Sequence, residues 1–169
     1  QPELLARMIE AFLAGVPARV VVVIDEAYNE YLPPERRFNS ALWVRKFPNL
    51  LIARTLSKAY GLAGLRVGYG IAQTELTDLL NRVRQPFNVN AAAQAAAVAA
   101  LSDAEFVDES YRLNRSGAQQ LNDAFRSLGL EYVPSYGNFV LVKVGDAERV
   151  YEALLKRGVI VRPVGNYGL

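Results

Sequence analysis

Val20-Val21-Val22-Val23-Ile24-Asp25-Glu26 is a five-residue β-branched run that stops abruptly on two carboxylates. A run apolar on both faces is what a central strand covered by helices on each side requires, because branched side chains pack well on a pleated surface. Leu50 to Arg54 repeats the pattern and runs into a polar, glycine-punctuated turn from Thr55 to Gly64. Arg66 to Ala72 alternates well enough to predict a third strand. Helical spacing surrounds these runs. Leu4, Leu5, Met8, Ile9 and Phe12 predict a helix over 3–13, a short helix is expected from Ala41 to Lys46, and another from Glu75 to Val83 closes before Pro86. Helix, strand, helix, strand, strand, helix is the order of an α/β layered domain.

Pro86-Phe87-Asn88-Val89-Asn90 marks the expected boundary between two domains, 1–85 and 86–169. Ala91 to Leu101 is rich in alanine, the best helix former, and predicts a tightly packed interdomain helix near 90–101. Ser102 and Glu105 have capping-box spacing, and Val107, Tyr111, Ala118, Leu121, Phe125 and Leu128 hold one face of a long helix that ends at Gly129. Strands are expected near Leu130 to Val133, from Phe139 to Val144 and from Val159 to Arg162, with a helix from Ala147 to Arg157. The second half therefore reads as a small α+β layer.

Composition excludes several chemistries. The 169 residues are 51% apolar and 21% charged, as in a globular protein rather than a disordered one. Nineteen Lys and Arg against seventeen Asp and Glu leave a net charge of +2, too even for a nucleic-acid or membrane-surface protein. With no Cys and no His there is no disulfide, no thiol nucleophile, no imidazole base and no usual zinc site, so no metal is expected. No apolar run is long enough to span a bilayer, and a cytoplasmic protein is expected. The first residue is Gln, which suggests a piece of something longer.

An apolar strand ending in Asp-Glu is also found in P-loop ATPases, but G-x-x-x-x-G-K-[ST] is nowhere in the chain. From Asp25 and Glu26 alone, a pair of strand-end caps is the simpler reading. The segment Thr55-Leu56-Ser57-Lys58-Ala59-Tyr60-Gly61-Leu62-Ala63-Gly64-Leu65-Arg66 adds more. It follows the second strand, and open α/β sheets bind ligands at such strand ends. Thr55, Ser57 and Arg66 could converge on one phosphate, leaving Lys58 to face whatever carries it; the alternative is that Lys58 and Arg66 are solvated loop charges. A buried Asp25, Tyr28, Lys58 and Arg66 together meet the needs of pyridoxal phosphate. Its aldehyde forms an imine with a lysine, a carboxylate keeps its ring nitrogen protonated, a phenol bonds its ring hydroxyl, and its phosphate needs a fixed cation with neutral donors.

The segments VVVIDEAYNEY, RTLSKAYGLAGLRVGY, NRVRQPFNVN and GVIVRPVGNYG together resemble the fold-type I pyridoxal-phosphate-dependent aminotransferases, and within them the histidinol-phosphate branch. The resemblance extends over nearly the whole chain. It implies the C-terminal part of a large domain, a three-layer α/β/α arrangement on a mostly parallel sheet, followed by a small α+β domain. It implies Lys58 as the imine-forming lysine, Asp25 as the partner of the ring nitrogen, Tyr28 as donor to the ring hydroxyl, and Ala27 beneath the ring. Thr55, Ser57 and Arg66 would bind the cofactor phosphate; Arg162 and Asn138 would meet the substrate. The implied reaction is a ping-pong transamination between L-histidinol phosphate and 2-oxoglutarate by a homodimer, in histidine biosynthesis. An aromatic aminotransferase or a threonine-phosphate decarboxylase shares the same cofactor residues, and a non-catalytic segment is the third reading. Family members carry an upstream half with further cofactor residues and a second substrate arginine downstream. The chain alone is therefore expected to be an inactive fragment whose 1–85 portion exposes apolar surface and associates.

Overall fold

The computed structural model describes residues 2–167. Gly168 and Leu169, at the end where the expected substrate arginine would follow, lie outside the described residues. Two compact units, 1–114 and 115–169, divide the chain, later than the 85/86 boundary expected from Pro86.

In the first unit, α1 (Pro2–Gly15) leads to β1 (Val22–Asp25), two short 3-10 turns, α2 (Ala41–Val44), β2 (Leu50–Thr55), β3 (Gly68–Ile71), α3 (Thr74–Val83) and α4 (Ala91–Ser102). The sheet has the order β1-β2-β3; β1 and β2 are parallel and β2 and β3 antiparallel, so it is mixed rather than mostly parallel. Val22 lies opposite Leu50 and Ile24 opposite Ile52, which puts these four side chains on one face. There they pack with Leu13 of α1 and Trp43 and Val44 of α2. Leu56 and Val67 extend the same face beyond the strands and meet Ala93 of α4. That contact keeps α4 with the first unit.

The other face carries Val23, Asp25, Leu51, Ala53, Thr55, Gly68 and Gly70 by the same alternation. It is open: Val21 and Val23 are 53% and 55% exposed. The expected three-layer arrangement is thus corrected to two layers among the described residues, with β1 an edge strand and not a central one. Gly68 tolerates no side chain, because a Cβ there would lie 2.6 Å from the Arg54 carbonyl oxygen. The expected tight packing of the alanine helix is also corrected. Only Ala93 of α4 is buried, since alanine favours the helix whether or not anything covers it.

Helix ends follow local chemistry. Asn90 caps α4 by accepting from Ala93 N at 2.9 Å. The helix α5 (Ala104–Ser127) is capped by Asp103, which accepts from Phe106 N at 3.0 Å, one residue later than the capping-box spacing predicts. Past the division inside α5, the second unit holds β4 (Tyr132–Val133) antiparallel to β5 (Leu141–Val142), then α6 (Ala147–Leu155) capped by Asp146. Val159 to Arg162 is not a strand: both described sheets end without it. Among the described residues, no helix is long and apolar enough to cross a membrane.

Leu50→Ala removes a side chain that is 0% exposed and is expected to lower unfolding stability by about 3 kcal/mol. Val98→Ala on exposed α4 should change it by less than about 0.5 kcal/mol. Denaturant titration of the two variants checks the difference.

Candidate active site

Asp25 ends β1 at the register position opposite Ala53, two residues before Thr55 closes β2. The strand period sends Asp25 and Thr55 to the open face, so Asp25 is exposed rather than buried as the sequence suggested. Its Oδ1 accepts from Ala27 N at 3.0 Å, a local turn that fixes the carboxylate just beyond the strand. The chain then tightens through 3-10 geometry at Asn29–Tyr31, with Asn29 N donating to Glu26 O and Tyr31 N to Tyr28 O, both at 3.1 Å.

Thr55 makes the matching turn after β2. Its Oγ1 accepts from Ser57 N at 3.1 Å, which leaves the hydroxyl hydrogen available to a further acceptor. Lys58 is exposed while its neighbour Ala59 is buried, so the loop is anchored by a methyl group and offers an amine to solvent. The loop reverses where Gly61 N donates to Lys58 O at 3.0 Å, and Gly61 takes φ +70°, a conformation glycine adopts at little cost. Lys58 Nζ stands 5.5 Å from the centroid of the Tyr28 ring, within cation–π range. The two strand-end loops therefore bring Lys58 and Tyr28 together.

Arg66 arrives by a different device. Thr55 pairs with Gly68, and Leu56 N donates to Val67 O at 3.1 Å, so continuing the register sets Arg66 beside Ser57. Arg66 has φ 53° and ψ 45°, left-handed values that cost a non-glycine residue about 1 kcal/mol or more. Its Nη1 donates to Ala63 O at 3.0 Å, which ties the guanidinium to its own loop. Arg162 and Asn138 belong to the second unit, where both are exposed. Hollows of about 480 Å³ beside Phe38, Leu42 and Trp43, and about 450 Å³ beside Tyr132, Leu141 and Val164, include none of these residues.

Sequence reasoning missed the charged layer beneath the site. Glu26 follows Asp25 and leaves β1 on the opposite, covered face. There its Oε2 accepts from Arg54 Nε and lies 2.8 Å from Arg54 Nη2, the two side chains 8% and 21% exposed. Arg54 Nη2 also reaches Ser40 Oγ, on a fully buried residue, at 3.5 Å. Burial opposes the charged guanidinium, but hydrogen bonds to Tyr69 and Glu26 outweigh it and raise the pKa of Arg54. Nearby, Tyr60 Oη donates to Glu30 Oε1 at 3.5 Å. Burial, then the Glu30 charge, pushes the Tyr60 phenol up to about 12, and burial also raises Glu30. The signal was parity: Arg54 shares the covered face with Leu50 and Ile52, where a cation demands a counter-ion.

The chain belongs to the aminotransferase class I and II family, whose model matches residues 7–169. It is 68% identical to histidinol-phosphate aminotransferase 2 of Ralstonia nicotianae over 168 residues, covering 97% of this chain and 45% of that protein. Histidinol-phosphate aminotransferase 1 of Cupriavidus pinatubonensis is 66% identical with the same coverage. The crystal structure of histidinol-phosphate aminotransferase from Sinorhizobium meliloti in complex with pyridoxal-5'-phosphate superposes with a TM-score of 0.85 at 31% identity, covering 93% of this chain and 44% of that one. The chain spans about half the length of the curated relatives it matches.

A phenol whose pKa is raised on folding stabilises the folded state fully below its unfolded value near 10, and that contribution is lost as pH rises through about 12. Thermal melts between pH 10 and 12 should therefore show a shallower loss of melting temperature in Tyr60→Phe than in the parent chain.

Proposed function

We propose that the chain carries the lysine-bearing part of a pyridoxal-phosphate-dependent aminotransferase that exchanges an amino group between L-histidinol phosphate and 2-oxoglutarate. The observation that carries this reading is the meeting of Lys58 Nζ with the Tyr28 ring at the ends of two parallel strands. The donor set fits the cofactor. One exposed amine, one carboxylate, one phenol, one guanidinium and two hydroxyls stand at the ends of β1 and β2 and on the segment beside them.

When bound, pyridoxal phosphate supplies an electron sink for the substrate's Cα. The chain's residues hold and serve it. Lys58 would be the residue that holds the cofactor's aldehyde carbon, and its free amine would move a proton between the substrate's Cα and that same carbon. Asp25 would hold the proton on the ring nitrogen, using the carboxylate fixed by Ala27 N. Tyr28 would donate to the ring hydroxyl, and Ala27 gives a small surface beneath the ring. Thr55 Oγ1, Ser57 Oγ and the Arg66 guanidinium would clamp the phosphate, the arginine as a planar fork.

Arg162 is proposed to meet the substrate's anionic end, and Asn138 to lie near the substrate. In the sense of the expected division, 1–85 would act as the cofactor-binding portion and 86–169 as the small domain. The whole protein would work in the cytoplasm as a homodimer on small amine and 2-oxo acid substrates. The histidinol-phosphate choice rests on the names of the relatives at 68% and 66% identity. Aromatic amines and threonine phosphate are the competing donors, and a donor panel separates them.

Borohydride treatment of the whole protein with pyridoxal phosphate should fix the cofactor to the peptide containing Lys58, as read by mass spectrometry. Lys58→Ala should abolish both the adduct and turnover; an adduct elsewhere, or retained activity, overturns the reading. Arg66→Ala should weaken cofactor binding by about tenfold or more through loss of charge-assisted hydrogen bonds, measured by fluorescence titration.

A further inference from the structure

Two side-chain links join the segment after β1 to the end of β2 and to the loop that follows it. Glu26 meets Arg54 at 2.8 Å, and Glu30 meets Tyr60 at 3.5 Å. Tyr28 lies midway between the two carboxylates, and Lys58 lies between Arg54 and Tyr60. The two links therefore bracket the one contact between the segments that bears the chemistry, Lys58 Nζ over the Tyr28 ring. A backbone bond from Glu26 N to Ala53 O at 2.9 Å keeps the first link in strand register.

We infer that Glu26–Arg54 and Glu30–Tyr60 are positioning residues that set the separation of Lys58 from Tyr28, and so tune the lysine through the geometry of its loop. The inference rests on the aminotransferase reading above. The Glu26–Arg54 link stays off the open face: both side chains leave on the covered side, opposite Asp25 and Thr55. Their influence must pass through the backbone of residues 26–30 and 54–60. Charge alone would be satisfied by any nearby cation. Two guanidinium nitrogens converging on one Glu26 oxygen define an angle as well as a distance. The groups facing Glu30 are Arg54 and Arg37, with Glu26 as the like charge, and Arg37 Nη2 already donates to the Glu30 carbonyl oxygen at 2.7 Å. Glu30 is thus held from its backbone while its carboxylate reaches Tyr60. The Tyr60 phenol, protonated across the neutral range even at its ordinary value and pushed higher by burial, remains the donor.

The test uses the whole protein loaded with pyridoxal phosphate and reads the pH midpoint of the visible band of the cofactor on Lys58, beside the cofactor dissociation constant. Arg54→Met and Glu26→Gln are each expected to move the midpoint by about half a pH unit or more. They should also loosen the cofactor by about tenfold through misplacement of the loop, with the double variant adding little to either single. Tyr60→Phe deletes one hydroxyl and keeps the Arg54 link; it should give a smaller displacement, and it decides the question if the Arg54 variant does not fold. A midpoint unmoved in every folded variant, with only the melting temperature lowered, overturns the inference. Failure to trap cofactor on Lys58 in the unaltered protein overturns the transamination reading instead.

Discussion

Consecutive residues of a strand leave it on opposite faces, and β1 ends on two carboxylates. Asp25 shares its face with Val23, Ala53 and Thr55, where the sheet is open. Glu26 shares the other with Ile24 and Ile52, where a bare carboxylate would be costly, and there Arg54 neutralises it. The pair forms only in the observed register of β1 on β2. A slip of one residue would turn Glu26 toward solvent and strand Arg54 among Leu50, Ile52 and Trp43. The ion pair and the apolar register thus specify the same alignment, and that alignment brings Asp25, Thr55 and the two loops beyond them to one end of the sheet.

From that end, exposed functional groups stand on anchored backbone. Ala59 is buried beside exposed Lys58, Leu56 is buried between Thr55 and Ser57, and Val67 is buried beside Arg66. Leu56 and Val67 fix the loop against Ala93, Leu62 and Leu65 without occupying the open face. The left-handed conformation of Arg66 belongs to the same economy of space. It allows the chain to leave the 3-10 turn Ala63–Leu65 and enter β3 beside Thr55, with the guanidinium still on the loop. Strain of this kind persists only where surrounding contacts over-determine it, and buried Leu56 and Val67 supply them.

Much of the fold was legible because its elements depend on local period and propensity. β1, β2, β3, α1 and α3 fall within a few residues of where alternation and helical spacing set them. Lys58, Tyr28, Asp25 and Arg66 could be singled out because polar groups at the ends of apolar strands stand apart from their surroundings. Expectations that depended on what covers an element failed, the central place of β1 and the three layers among them. Ala91 to Leu101 is a helix but an exposed one, Val159 to Arg162 finds no sheet partner, and Asp25 is open to solvent. Arg54, Glu30 and Tyr60 were passed over, and Glu26 was read only as a strand-end cap, for a related reason, since a charge inside a short strand shows its partner only once the neighbouring strand's parity is known.

By itself the sequence determined which segments become strands and helices and which side chains crowd the strand ends, because both are settled by chemistry within a few residues. Tertiary structure alone decided which face of the sheet is covered, which of two adjacent carboxylates is paired and which exposed, and that Lys58 stands over Tyr28. These are relations between segments far apart in the chain, and only burial of the shared apolar face brings them together.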